Sequence, residues 1–373
     1  MTQRSTLVTG GCGFVGSHLV DALLAAGHTV RVLDNVDPQA HEGGVARFRN
    51  PDAEMHRADL RDRQAVRSAL EGVDTVFHQG AMVGNGQSMY EIERYIDVNA
   101  VGTAVLMEEV VSRRDRIRRV VAASSMVVYG DGAYRCAEHG MVKPPPRTDE
   151  DLAARRWEPR CPTCTEFVSP MPTDEEKPLD TTSPYAIGKL ASETIVLVTG
   201  RSFGVETVAL RYLNIYGRRQ ALSNPYTGVA AIFATQLRSG RRPTVYEDGG
   251  QRRDLIHVSD VVAANLLAME APAAAGRALN VGTGVTLTIA GLARTLADAL
   301  GVDTEPDITN RYRAGDVRHC YASTERAKAL LGFSAAANRE SALRDLAEWV
   351  TDEKPVDRTE TATAELTALG LIR

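Results

Sequence analysis

The chain lacks an excess of positive charge: 43 Lys and Arg stand against 48 Asp and Glu, a formal net charge of -5 over 373 residues. Nothing in that balance suits a nucleic acid or an anionic lipid surface, so neither is expected as a partner. It also lacks any apolar run near the roughly 18 to 20 residues needed to span a bilayer, and no membrane association is expected. A strand begins at Ser5, almost at the initiator Met, which leaves no room for a cleavable leader. Cysteines are few and odd in number, five in all, and three of them cluster with a histidine, which argues against a secreted disulfide framework. The expected setting is cytoplasmic, with reduced thiols. No internal repeat is present. Hydrophobic residues make up 43% and charged residues 24%, enough for a large buried core and against disorder.

Against those absences stand two dense signals. Thr9-Gly10-Gly11-Cys12-Gly13-Phe14-Val15-Gly16 follows an apolar strand, and Tyr185-Ala186-Ile187-Gly188-Lys189 lies near mid-chain. Around the first, strands are predicted over 6–9, 29–33 and 75–78. Between the first two, Val15, Leu19, Val20, Leu23 and Leu24 recur at helical spacing, and Gly27 stands where a helix closes. That is a βαβ unit, and the alternation implies a parallel sheet. Further strands are predicted over 120–124 and 207–211, long helices over 89–112 and 184–203, and a helix over 287–300. After Arg211 the chain loosens into Gly- and Pro-containing segments of the kind that carry binding groups.

Gly10, Gly13 and Gly16 have the spacing that lets a turn form, lets backbone approach a pyrophosphate, and seats a helix tightly on its strand. Asp34 at the end of the second strand is placed to accept hydrogen bonds from ribose hydroxyls and to repel a 2'-phosphate, which favours NAD over NADP. The alternative for Asp34 is a strand-terminal turn residue. Tyr185 and Lys189, four apart, fall on one helical face, where an ammonium can lower the phenol's pKa and make it a base.

In this order the two motifs resemble the extended short-chain dehydrogenase/reductase family, which includes NAD-dependent nucleotide-sugar epimerases and dehydratases. The resemblance implies a doubly wound α/β (Rossmann) parallel sheet over 1–215, with 134–170 inserted. A smaller C-terminal substrate domain would follow over 216–350, with 251–270 returning to the first domain, and 351–373 would be a tail or surface helix. It assigns Tyr185, Lys189 and Ser125 to catalysis, with Ser124 the alternative donor. It places Gly10, Gly13, Phe14, Val15, Gly16, Asp34, Asn35, Asp59, Leu60, Gln79 and Asn99 at the cofactor, together with Tyr185 and Lys189. His78-Gln79-Gly80-Ala81 departs slightly from the usual form of that segment.

Substrate contacts implied are Gln87, Ser88, Ser125, Asn214, Arg253 and Arg313. Ser88 as a helix cap is the alternative there, as are Arg252 and Arg311 for the two arginines that would clamp a pyrophosphate. Dehydratases of the family carry Asp-Glu where this chain has Met126-Val127, which can do neither acid nor base chemistry. Elimination is therefore not expected. Segments 84–92 and 218–228 resemble a dTDP-L-rhamnose 4-epimerase branch. The implied activity is NAD-dependent 4-epimerisation of a dTDP- or UDP-sugar by a homodimer. A nucleotide-sugar decarboxylase or dehydrogenase/reductase shares the same residues, and a non-catalytic NAD-binding interaction module is the reading from another class.

Ser125 and Tyr185 are 60 positions apart, about twice the usual separation, so something is inserted. The insert contains Cys136-Ala137-Glu138-His139 and Cys161-Pro162-Thr163-Cys164. Two tight pairs of soft or borderline ligands fit a closed tetrahedral zinc site that orders a loop without its own core. A structural zinc on Cys136, His139, Cys161 and Cys164 is expected, with the loop beside the mouth of the active site as lid or wall. Cys12 and Cys320 read as buried small hydrophobes.

Overall fold

Short apolar runs become the parallel strands β1 (Ser5–Thr9), β2 (Thr29–Asp34), β3 (Glu54–Arg57), β4 (Thr75–His78) and β5 (Arg119–Ser125). Strands Glu206–Tyr212 and Arg277–Val281 complete a seven-stranded sheet in this computed structural model, which describes residues 3–353 and 355–373. From one edge the order is Arg277–Val281, Glu206–Tyr212, β5, β4, β1, β2, β3, and every pairing is parallel. The chain winds outward from β1 in one direction and then crosses back to β4 to wind in the other. The loops after β1 and β4 part at that switch point and leave a crevice at the strands' carboxyl ends. Leu7, Val8, Val76 and Phe77 are fully buried, as expected for central strands covered by helices on both faces.

Helix α1 (Phe14–Ala25) buries Leu19, Val20 and Leu23, and Gly27 follows it at φ 84. Helix Pro184–Phe203 starts where the Ser183 hydroxyl accepts from Ala186 N at 3.2 Å, has Pro184 in its first turn, and stops at Gly204 in the left-handed region. The predicted single helix over 89–112 is broken. It comprises Ile92–Ile96, a π-helical turn Asp97–Val101, and Gly102–Val111. The wider turn admits an extra residue, and it is here that Asn99 leaves the helix surface to hold a loop.

The smaller domain is built on strands Asn214–Tyr216, Arg252–His257, Thr286–Thr288 and His319–Cys320. Helices Val229–Arg238, Ile289–Leu300 and Arg339–Glu353 enclose its core around Phe233, Leu292, Leu296 and Leu346. The return to the first domain differs from expectation. Strand Arg252–His257 pairs only with strands of the smaller sheet, and the return is made by helix Val258–Glu270, which packs on α1, and then by Arg277–Val281.

The C-terminal segment is more than a tail. Helix Thr359–Ala368 leads to Ile372, which bridges antiparallel to Arg313, with Tyr312 N donating to Arg373 O and Ala314 N to Leu371 O, both at 2.9 Å. The insert is a three-stranded antiparallel sheet of Ala133–Cys136, Gly140–Val142 and Ser169–Met171. Among the described residues no helix is long and apolar enough to cross a membrane.

Candidate functional site

A cleft of about 1790 Å³ opens at the switch point and runs between the two domains. A single small-molecule site typically occupies roughly 300 to 1,000 Å³, so this one has room for two ligands end to end. One end is the glycine turn. Gly10 sits at φ 66, and a Cβ there would lie 2.7 Å from Gly80 Cα, so β1 and β4 can approach only as glycines. A Cβ on Gly16 would meet Gly10 O at 2.0 Å. Gly13 gives α1 no side-chain cap and the first turn carries no acid, which leaves the helix N-terminus to an anion. Gly10, Gly13, Phe14, Val15 and Gly16 all line the cleft, and this cradle fits a dinucleotide pyrophosphate.

Asp34 closes that end. Its carboxylate accepts from Cys12 N at 3.0 Å and Val36 N at 2.8 Å, and His41 Nε2 lies 3.5 Å away. Burial would raise its pKa, but His41 and the two amides outweigh burial and hold it below the usual carboxylate range. The group is thus an anion with one lone pair of Oδ2 left for a ribose hydroxyl. Asn35, Asp59 and Leu60 line the same end. Asp59 is held down to about 2 by Arg61, whose Nε lies 2.8 Å from Oδ1. Asn99 does not reach the cleft; its amide instead pairs with both the N and O of Met82, at 2.8 and 3.1 Å, and so fixes the loop after β4. In that loop Gln79 lines the cleft and its amide nitrogen donates to Tyr212 Oη at 3.1 Å and Asn265 Oδ1 at 3.0 Å.

At mid-cleft stand Ser125, Tyr185 and Lys189. Burial pushes the Tyr185 phenol up to about 12, opposed in part by a hydrogen bond from Ser125. Burial pushes Lys189 down to about 8, opposed by Glu193 one helical turn further on. The expected lowering of the phenol by the ammonium is not what this geometry produces. Lys189 Nζ donates to the Ala123 carbonyl in β5, and burial of the ring dominates the phenol. Ser124 also lines the cleft, but its hydroxyl is committed to Glu193 Oε2 at 2.6 Å, which leaves Ser125 as the hydroxyl beside the phenol.

Below them lies a buried polar network that motif reading missed. Glu193 takes two bonds from Arg211, at 2.6 and 3.0 Å, Arg211 Nη1 donates to Tyr129 Oη at 2.9 Å, and Tyr129 donates to Asn280 Oδ1 at 2.7 Å. The available signal was that Tyr185, Lys189 and Glu193 repeat the same four-residue step.

Toward the other end, Asn214, Arg253 and Arg313 line the cleft, as does Arg311, whereas Arg252 does not. Asn214 Oδ1 is buried without a partner. Arg313 Nε is 2.8 Å from Asp316 Oδ2 and its guanidinium lies 4.7 Å over the Tyr246 ring. Gln87 and Ser88 do not fit the role expected of them. Neither lines the cleft: Gln87 is buried among Gln39, Glu91 and Tyr95, and the Ser88 hydroxyl donates to Asn85 O at 2.7 Å. Ser88 is not a cap either, since its helix begins at Asn85. Their polar atoms are committed to neighbours in the chain and face the body of the domain.

The four insert ligands do converge. Cys136 Sγ lies 3.6 Å from both Cys164 Sγ and His139 Nδ1, Cys161 Sγ lies 3.7 Å from His139 Nδ1, and all four ligand atoms fall within 4.8 Å of one another. A tetrahedral zinc with bonds of about 2.3 Å needs sulfurs roughly 3.8 Å apart, so the cluster has the required size. The insert is not, however, a lid or wall: none of residues 128–184 lines the cleft. Cys12 and Cys320 are buried, and burial pushes each thiol up to about 12, which suits inert packing.

Comparison with known proteins gives three consistent results. A family model described as the NAD dependent epimerase/dehydratase family matches residues 6–153 and 162–282. A dTDP-L-rhamnose 4-epimerase of Burkholderia thailandensis is 31% identical over 353 residues, covering 94% of this chain and 96% of that one. Among solved structures, UDP-glucose 4-epimerase from Thermotoga maritima with UDP-glucose superposes with a TM-score of 0.75 at 29% identity, over 94% of this chain and 99% of that one. The Thermus thermophilus UDP-glucose 4-epimerase complex with NAD gives 0.72 at 29% identity, over 92% and 98%.

Proposed function

The chain belongs to the NAD-dependent epimerase/dehydratase family, and from that membership we propose that it is a nucleotide-sugar 4-epimerase whose favoured substrate is a dTDP-linked 6-deoxyhexose. The observation that carries the reading is the convergence of Tyr185, Ser125 and Lys189 midway along a cleft that begins at the α1 glycine turn and ends at Arg313. The resemblance of segments 84–92 and 218–228 to the dTDP-L-rhamnose 4-epimerase branch supports the dTDP-sugar over a UDP-sugar.

Tyr185 as phenolate takes the proton from the hydroxyl at carbon 4, and Ser125 hydrogen-bonds the same oxygen. The chemistry that NAD would supply, held at the glycine turn and Asp34, is reversible hydride transfer at carbon 4; with hydride return to the opposite face and the proton given back by Tyr185, the product would be inverted with no net redox change. Lys189 ties its helix to β5 through the Ala123 carbonyl. The guanidinium of Arg313 holds the diphosphate end, with Arg253 beside it, and Asn214, whose Oδ1 has no partner in the chain, accepts from a sugar hydroxyl. Met126 and Val127 supply no acid or base for loss of water.

The Cys136, His139, Cys161 and Cys164 cluster supports a structural zinc with no open coordination position. A reducing, cytoplasmic setting keeps those thiols available to it. Ile187 and Val198 on helix Pro184–Phe203, and Val101 on the adjoining helical stretch, are 46 to 49% exposed, which supports homodimerisation through this face. Sedimentation of the protein and of Ile187→Glu tests that, with a monomeric wild type removing it.

The activity is tested by incubating the purified protein with dTDP- and UDP-sugars without added cofactor and recording proton NMR spectra. Inversion at carbon 4 at unchanged mass is expected; loss of carbon dioxide, net NADH, or no turnover on any sugar would overturn it.

A further inference from the structure

The insert does not touch the cleft, yet its contacts end on the segment that does. Segment 312–319 presents Arg313, Asp316 and Val317 to the cleft on one side. On its other side Trp157 packs against Tyr312 with ring centroids 6.4 Å apart, and Arg147 donates to Asp316 O at 2.9 Å. Glu158 takes the end of the segment with both oxygens. Oε1 accepts from Arg318 Nε at 2.9 Å and Oε2 pairs with His319 Nε2 at 2.8 Å.

Arg318 is the centre of this grip. Its side chain is 1% exposed, and it also binds Glu247 at 2.9 Å and Asp248 at 2.7 Å, while Arg147 meets the other oxygen of Glu247 at 2.8 Å. The carbonyls of Val317 and Arg318 in turn accept from the Arg253 guanidinium. A displacement of Arg318 therefore moves the anchor of Arg253 and the backbone that carries Arg313.

Apolar packing near Glu158 is confined to the small cluster of Leu152, Trp157 and Tyr312. The insert's other cluster is Tyr134, Cys136, Cys161 and Val168, with Val142 and Cys164 packed against them, so half of it is candidate metal ligand. Cys161 stands three residues beyond Glu158 and its Sγ also accepts from Thr163 N at 3.5 Å, inside the turn that closes the cluster. Small units without a sufficient core take their order from the metal they bind.

We propose that the metal-ordered insert positions the substrate's diphosphate site: Glu158, acting through Arg318, sets the segment that presents Arg313 and anchors Arg253, so metal occupancy governs nucleotide affinity and leaves the dinucleotide end untouched. Glu158 is a positioning residue. The inference rests on the reading of this cleft as a nucleotide-sugar site.

The test uses the full chain with its bound NAD and titrates dTDP and UDP alone by calorimetry, alongside KM and kcat for the sugar substrate found by NMR. Glu158→Ala is expected to raise the diphosphate Kd and the KM by roughly 2- to 30-fold, the range of energetic coupling through such networks, with kcat and NAD content unchanged. Glu158→Gln, which keeps an acceptor for Arg318, is expected to recover part of that loss. Stripping zinc from the wild type with a chelator should weaken diphosphate binding by a similar factor, reversibly, and should add little in Glu158→Ala.

Equal diphosphate affinity in wild type and Glu158→Ala would overturn the inference, as would loss of NAD in parallel with zinc. Should Glu158→Ala fail to fold, Glu158→Gln and the chelation series decide by the same criteria. A wild type that binds neither diphosphate would overturn the functional reading and this inference with it, whereas normal epimerisation with an indifferent Glu158 would remove the inference alone.

Discussion

Lys189 donates its ammonium to the backbone carbonyl of Ala123, which joins the helix bearing Tyr185 to the strand bearing Ser125. One turn further on, Glu193 reaches the same strand through Ser124 at 2.6 Å. Two successive helical turns thus hold β5 in register at the two residues immediately before Ser125, which keeps its hydroxyl beside the phenol.

Replacing Tyr185 by Phe removes the base and leaves the ring's packing. Turnover is expected to fall by roughly 100- to 10,000-fold, about 3 to 5.5 kcal/mol in activation free energy. Bound NAD, measured after gel filtration, should be unchanged. Turnover within a factor of about two of wild type would remove Tyr185 from the chemistry.

The pH profile follows from the same phenol. Burial pushes the phenol up to about 12, so its basic form is scarce at neutrality and grows as pH rises. Turnover is therefore expected to rise with pH, by up to about tenfold per unit. Rate measurements between about pH 6 and 9 should show this slope in the wild type and none in Tyr185→Phe. A wild-type rate that falls over that interval would contradict the assignment.

The Glu193–Arg211 pair is almost fully buried, with side chains 4% and 5% exposed. Removing one partner leaves the other charge without its counter-ion, so Arg211→Met is expected to destabilise by about 3 to 5 kcal/mol. Urea unfolding would show it as a lowered midpoint at unchanged slope. Loss below about 1 kcal/mol would mean that the network is satisfied by water.

Metal analysis should return one zinc per chain, and none after Cys161→Ser, with a lower melting temperature for the variant. Absence of zinc from protein purified without chelators would refute the cluster as a metal site.

The glycine turn, Asp34 and the step from Tyr185 to Lys189 were legible because each is a local pattern, in which a backbone constraint or one helical face dictates residue type at fixed spacing. The convergence of Cys136, His139, Cys161 and Cys164 was legible for the same reason. Gln87 and Ser88 were misread because a polar residue near a cleft looks alike in sequence whether it faces the cleft or a neighbour such as Tyr95. The grip of Glu158 on Arg318 spans 160 positions, and the pairing of Ile372 with Arg313 has no periodicity to announce it. The break at Asp97–Val101 was invisible too, since a π turn keeps helical composition and shifts only the register.

Ala133 and Met171 lie directly opposite each other at the open end of the insert's sheet, and Ala133 N donates to Thr173 Oγ1 at 3.0 Å. The chain thus departs from the scaffold and rejoins it at one spot. A unit attached at one spot in this way is separable: joining Gly132 to Thr173 by a short turn would excise it without cutting any strand or helix outside it.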